Sequence, residues 1–525
     1  MSLIPEANAV KKDWRKVQLR VALCYPNIYR VGMTGLPIKL LYYLMNTRED
    51  IACERFFTPT RDEPLLSLES RQPLKRFDVV AFSLQYEWDY ANVLKILSDS
   101  GIPLKSVERG ESHPLVIAGG PCSTENPLPL SPYIDLFVIG EAEEVLDGIL
   151  DSVIEQGRDC LEDLAGCRGV YVPSLDERAE RVWVRRLDDA PHPTAQVVPL
   201  VGGRSPYMTV FGRTIDVEAT RGCGRGCRFC LVGHTYRPMR FRTLKRLEEI
   251  VDEAKKYTPA EKLSLIGAAL SDHPRLEELC RHAIESGLKL SISSIRPEAV
   301  SEELAKLLAR GGQRRVTIAP DAATERLRET IHKGMEDQTI IEAAKTLLDE
   351  GVRRLKLYFI IGLPGEQPED VDAIAELARR IADLGYGVDS IHLSINPLVP
   401  KPHTPFQWAP FPDLKYVKNC IKRIRKLLSG DRRIKIGGLD PRRAQIQALL
   451  SLGGPELGPV IEEASRLGGG LGAWRKAIRK HGISLEKYLG PKPLDSEFPW
   501  DIIGVSLNRK FLISEFEKAL ARGHE

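Results

Sequence analysis

Along residues 17–140, short apolar runs alternate with stretches whose apolar positions recur every three or four residues. VQLRVALCYP, FDVVAFSLQ, PLVIAGG and IDLFVIG are strand-length, whereas PIKLLYYLMN and YANVLKILSDSG carry the helical period. Strands separated by helices predict a parallel, doubly wound (Rossmann-like) sheet over residues 1–155. Glycine, proline or polar residues stop each strand and place loops at its carboxyl edge, where open α/β sheets bind ligands. Residues 156–210 contain GVYVPSL and RVWVRRLDDAPHP, which read as two short strands around a charged turn, followed by a proline-rich link. From 211 a second series begins: TIDVEAT, KLSLIGA, KLSISSI, RRVTIAP, RLKLYFIIG and SIHLSINP, separated by helical patterns such as LEEIVDEAKKY. Six βα units predict a partial parallel (βα)6 barrel over 211–411, with its chemistry at the carboxyl ends of the strands. After 412 the basic YVKNCIKRIRKLL and the glycine-rich LGGPELGPV and RLGGGLGAW predict a separate, mostly helical region to 525.

Composition narrows the function classes. The 525 residues suffice for several domains with large cores. Lys plus Arg is 75 against 72 Asp plus Glu, so net charge does not call for nucleic acid or acidic lipid, and the basic run RPMRFRTLKR is local. Ten cysteines are too sparse for a disulfide scaffold, and the N-terminus lacks a basic-then-apolar signal pattern, so the expected setting is a reducing cytoplasm. No apolar run approaches the roughly 20 residues of a spanning helix, so membrane insertion is not expected.

Three of the ten cysteines, Cys223, Cys227 and Cys230, crowd into TRGCGRGCRFC. Structural zinc takes four ligands, and His234 stands close enough to complete a Cys3His set; that would make the chain a zinc-stabilised binding module. An iron–sulfur cluster held by three thiolates instead keeps one iron open to an external ligand. The C-x3-C-x2-C spacing, in the loop after the first barrel strand, resembles the radical S-adenosylmethionine superfamily. The resemblance implies that Cys223, Cys227 and Cys230 hold a [4Fe–4S] cluster whose open iron chelates the amino and carboxylate groups of S-adenosylmethionine. One electron from an external reductant would then yield a 5′-deoxyadenosyl radical. It further implies S-adenosylmethionine contacts at Phe229 and Gly267, at Glu325 in TIAPDAATERLR, and at Gly362 and Leu363 in IIGLPGE.

The first domain, with LVIAGGPCSTENP and DLFVIGEAEEV, resembles the cobalamin-binding domains of class B radical S-adenosylmethionine enzymes. Ser83, Gly119, Gly120, Gly140 and Glu141 would then line the cobalamin site. GMTGLPIKLLYYLMN, LLSLESRQPLKRFDVVAFSLQYEWDYANVL, PLVPKPHTPFQW and FPWDIIGV extend the resemblance over nearly the whole chain, to glutamine C-methyltransferases of methyl-coenzyme M reductase. The activity implied is C-methylation of an unactivated carbon, with a protein substrate; another radical outcome, such as methylthiolation or rearrangement with a structural first domain, is the alternative. One departure stands out: the loop PNIYRVGMTG lacks the histidine of D-x-H-x-x-G. Met33, whose thioether can ligate metals, is the expected cobalt ligand there, with Tyr29 next and a cobalt without protein ligand third. The other seven cysteines are expected to be mostly buried thiols, and Trp474 and Trp500 to belong to added surface that serves a large substrate.

Overall fold

The structure is a computed structural model that describes residues 4–60 and 63–523. Its first layer is a six-stranded sheet in the order Ile51–Phe57, Leu19–Tyr25, Val79–Ser83, Leu115–Gly119, Leu136–Val138, Val170–Tyr171. All pairings are parallel except the last, which is antiparallel. The strand order reverses beside Leu19–Tyr25, which sets a topological switch point at the carboxyl edge. The edge strand Ile51–Phe57 is absent from the apolar pattern because Glu54 and Arg55 interrupt it. All seven of its residues are nevertheless buried. Arg55 is enclosed by Glu6 at 2.6 Å and Glu69 at 2.7 Å, and Glu54 accepts from Trp14 Nε1 at 2.9 Å. Val170–Tyr171 closes this first sheet, and Val182 touches it through a bridge to Gly140, so the expected connector belongs largely to the first domain.

The barrel carries seven parallel strands. Ile215–Glu218, Lys262–Ile266 and Lys289–Ile292 form one hydrogen-bonded group; Arg315–Asp321, Arg354–Ile361, Ile391–Pro397 and Ile434–Gly437 form the second. A bridge from Ser294 to Thr317 joins them. The six expected strands are all present, and Ile434–Gly437 carries the barrel past the expected boundary at 411. Helices such as Leu244–Tyr257 and Glu302–Arg310 bury their apolar faces on the outside of these strands, with Thr243 and Ser301 capping their first turns.

The C-terminal helices do not form a detached domain. Pro441–Leu452, Gly458–Arg466 and Leu471–Lys480 share one core with the helix Tyr90–Asp99 of the first domain. Trp474 and Trp500, expected to contribute surface, are instead fully buried in that core. Asn126 Nδ2 donates to the carbonyls of Ser451 and Gly453, and the last helix, Arg509–Gly523, returns to the barrel. Of the seven cysteines outside the cluster six are buried, and Cys167 is exposed. Among the described residues no helix is long and apolar enough to cross a membrane.

Candidate active-site cleft

The carboxyl edges of the two sheets face one another across a cleft of about 410 Å³. Its first wall is Leu23, Ser83, Gly119, Gly120, Gly140 and Glu141; its second is Thr220, Arg221, Gly222, Gly267, Val232 and Tyr236. That volume lies within the roughly 300–1,000 Å³ of a typical small-molecule site. Gly120 and Gly140 both have φ of 110°, and a Cβ would lie 2.6 Å from Leu84 O at the first and 2.1 Å from Val182 O at the second. Side chains are excluded at these two strand ends, which leaves bare backbone on the cleft wall.

The cysteine loop borders the second wall. Its base is pinned by Thr220–Arg221 pairing with Arg240–Phe241, and Gly222, at φ 79°, turns where a Cβ would strike Tyr236 O at 2.0 Å. Arg225 N donates to Cys223 Sγ at 3.5 Å. Burial raises the Cys230 thiol, opposed by the N–H groups of Gly233 and Val232 that point at its sulfur. Burial likewise pushes Cys227 up to about 11, opposed by Lys333. The donor set suits a cluster: three thiols on one loop, with N–H groups and a cation that stabilise thiolate. For the zinc alternative, His234 has its Nδ1 2.9 Å from the carbonyl oxygen of Cys230 and its buried Nε2 without a partner, an arrangement a metal-ligating imidazole adopts. Among the described residues neither that set nor the three cysteines alone are gathered as a metal site.

Gly267 sits where a Cβ would lie 2.1 Å from Thr220 Oγ1, a buried hydroxyl with no partner. The turn is therefore closed to side chains and keeps a polar atom free at the cleft. Phe229 packs against the core that the C-terminal helices share with the first domain. Glu325, Gly362 and Leu363 do not line the cleft. Glu325 is half-exposed and accepts from Asp337 N at 2.9 Å; Gly362 N donates to Glu366; Leu363 is buried. Met33 and Tyr29 also lie off the cleft, in the core on one face of the first sheet. Met33 Sδ accepts from Arg55 Nη1 at 3.5 Å, and Tyr29 donates to Glu6 at 2.7 Å. The packing that encloses Arg55 thus takes up both side chains.

Beyond Glu141, which the sequence pointed to, several charged residues of the site were not singled out from the sequence. Glu141 accepts from Arg221 at 2.7 Å and from Arg240 at 2.7 Å, and Arg221 also binds Glu143 and Glu218. Burial raises the Glu141 carboxyl, but the Arg240 bond and the two guanidinium charges outweigh it and leave the pKa lowered. Lys333 binds Asp321 at 2.5 Å next to the cysteine loop, and Arg296 donates to the Lys333 carbonyl. Behind the cleft Lys401 lies 2.9 Å from Glu125 and also binds Glu87 and Ser451. Burial raises Glu125 to about 7 against the pull of Lys401.

Comparisons with known proteins bear on the family and the fold. The model for the N-terminal domain of radical SAM proteins matches residues 37–173, and that of the radical SAM superfamily matches 217–378, the cysteine loop included. The chain is a radical SAM protein. It belongs to one family with the uncharacterized protein MJ0966 of Methanocaldococcus jannaschii, 30% identical over 414 residues, 78% of this chain and 84% of that one. An uncharacterized methyltransferase of Pyrococcus horikoshii, PH0819, is 25% identical over 68% of this chain and 75% of its own length. Among solved structures, the radical S-adenosylmethionine methyltransferase TsrM of Kitasatospora setae, with tryptophan and a SAM analog bound, shares the fold. The TM-score is 0.58 at 16% identity, over 89% of this chain and all (100%) of that one. The cobalamin-dependent S-adenosylmethionine radical enzyme OxsB with aqua-cobalamin bound reaches a TM-score of 0.50 at 12% identity, over 96% of this chain and 80% of that one.

Proposed function

We propose that this protein is a cobalamin-dependent radical S-adenosylmethionine methyltransferase that C-methylates an unactivated carbon of a polypeptide. The observation that carries the reading is the single cleft onto which the glycine-lined edge of the first sheet and the Gly267 side of the barrel both open, with the cysteine loop at its border. Cys223, Cys227 and Cys230 would hold the cluster, Gly267 and Thr220 would border S-adenosylmethionine, and Ser83, Gly119, Gly120, Gly140 and Glu141 would border the corrin. When bound, these groups supply radical formation, hydrogen abstraction and a methyl donor. The chain's own residues place them. Apolar Leu23, Leu36, Leu40 and Ile117 exclude water from the first wall, and the Glu141 carboxylate fixes Arg221 and Arg240 across the domain boundary. The resemblance in sequence makes a glutamine of methyl-coenzyme M reductase the first substrate to test, with an external one-electron donor.

The test is anaerobic reconstitution with iron, sulfide and cobalamin, followed by reaction with methyl-labelled S-adenosylmethionine. Expected are a corrin absorbance band, 5′-deoxyadenosine and label on a candidate peptide. Iron and 5′-deoxyadenosine without bound cobalt would overturn the cobalamin assignment. Label on a free lipid or metabolite and none on peptides would overturn the polypeptide substrate.

A further inference from the structure

A second groove lies on the carboxyl-end rim of the barrel, beside its last two strands. It holds about 550 Å³ between the helix Leu414–Leu427 and the loop that leaves Ile434–Gly437. Its walls carry Lys418, Lys422, Arg425 and Arg442 with the single carboxylate of Asp440, and its floor is Ile395, Ile421, Leu439 and Pro441 with the bare backbone of Gly437 and Gly438.

Three of these cations stand without a carboxylate beside them. Arg423 of the same helix binds Asp372, and Arg442 binds Asp440 at 2.6 Å. Lys418, Lys422 and Arg425 are exposed and have no carboxylate partner among the described residues. Successive offsets of four and three residues put the three on one face of the helix, over about 10 Å of its length. Uncompensated like charges held this close repel one another, and a bound anion relieves that repulsion.

We infer that this groove docks an acidic stretch of the polypeptide substrate. The inference rests on the polypeptide-substrate reading above and adds how that substrate is recognised. Two observations select a polypeptide over nucleic acid. The floor is aliphatic and contains no aromatic ring on which a base could stack, and the chain as a whole is nearly neutral, at +3. An acidic, partly apolar segment matches both floor and rim. Position supports the role: the groove opens on the rim that carries the cysteine loop. It flanks Ile434–Gly437, which pairs on one side only, so the barrel is open next to it.

The experiment uses the full chain and a fluorescein-labelled peptide of alternating Glu and Leu, read by anisotropy at low and high salt. Controls are a Lys–Leu peptide and a single-stranded RNA of equal length. The acidic peptide should bind, weaken with salt, and lose at least about tenfold in affinity in the charge-reversed Lys418→Glu/Lys422→Glu/Arg425→Glu variant, with the Lys418→Gln/Lys422→Gln/Arg425→Gln variant in between. Unchanged affinity in both variants, or tighter binding of RNA than of the acidic peptide, overturns the inference. Cofactor content and 5′-deoxyadenosine formation should be unaltered in both variants. Failure of the methyltransferase reading would appear as lost turnover in the unmodified chain with peptide binding intact. Failure of the docking inference would appear as a polypeptide substrate whose KM the variants leave unchanged.

Discussion

Lys39, on the helix that follows the first strand, reaches Asp216 on the first barrel strand with Nζ and Oδ2 2.5 Å apart. The side chains are 2% and 0% exposed, so this ion pair between domains is dry. Lys39→Met keeps most of the aliphatic stem and fills the same space, which isolates the loss of charge. The Asp216 carboxylate would keep one side-chain bond, from Thr214 Oγ1 at 2.8 Å. Breaking one side of a buried pair costs about 3–5 kcal/mol, and the retained bond places the expected loss near the lower end, about 3 kcal/mol. The double variant Lys39→Met/Asp216→Asn removes the stranded charge and should return to within about 1 kcal/mol of the parent. Urea unfolding of the cofactor-free chain, followed by tryptophan fluorescence, measures both. Because Asp216 stands just ahead of the cysteine loop, iron retained after reconstitution should fall in the single variant and recover in the double. A single variant that loses under about 1 kcal/mol, or a double variant no better than the single, would refute the reasoning.

Burial raises Asp89 from 3.8 to about 7, with the amide bonds of Asn27 and Asn92 opposing it. A carboxyl with a raised folded-state pKa contributes stability that is present below its ordinary value and lost as pH climbs to about 7. Asp89→Asn, whose amide oxygen can keep both bonds, should therefore flatten urea stability between about pH 4 and 7 and gain at most about 4 kcal/mol above it. Glu141→Gln leaves Arg221 and Arg240 short of charge at the domain boundary, and should lower the cobalamin retained on a desalting column by about tenfold. Gly267→Ala forces a methyl onto Thr220 Oγ1 and should raise the KM for S-adenosylmethionine without loss of iron, checked by 5′-deoxyadenosine formation. Replacement of Cys223, Cys227 and Cys230 by alanine should abolish both iron and 5′-deoxyadenosine, measured by metal analysis and chromatography.

What the sequence made legible follows from physical scale. Strands buried on both faces, such as Leu115–Gly119, appear as unbroken apolar runs and were readable directly. Ile51–Phe57 is equally buried, yet Glu54 and Arg55 hide it, because their partners Trp14, Glu6 and Glu69 lie elsewhere in the chain. Ile434–Gly437 was hidden for the opposite reason: it is a short edge strand with exposed Lys435, and its surroundings read as basic helix. In the site, the cysteines were legible from spacing, and the glycines of the first wall from their place at strand ends. Of the charged groups Glu141 was, and its partners were not. Arg240 reads as part of a basic run, and Glu141, its partner, is 99 residues away. The loop lacking a histidine pointed to Met33, whereas the fold buries that thioether beside Arg55.

The polar ties explain how two separate sheets can present one cleft. Apolar contact is tolerant of small slides between layers, because its energy depends on area and little on direction. Three directional ties replace that tolerance here. Lys39 binds Asp216 at the base of the first barrel strand, Glu141 binds Arg221 and Arg240 at the cysteine loop, and Lys401 binds Glu125 and Glu87 beyond the sixth strand. Each tie joins the first domain to a different segment of the barrel, so no rotation of one domain on the other relieves all three. Each also lies close in sequence to residues of the cleft: Leu36 and Pro37, Gly140, and Gln85 and Pro121. Buried ions cost desolvation and add little net stability, so their place in this fold is better explained by geometry than by strength. They hold the glycine-lined wall opposite the Gly267 turn at a fixed separation, which the proposed methyl transfer would require of its scaffold.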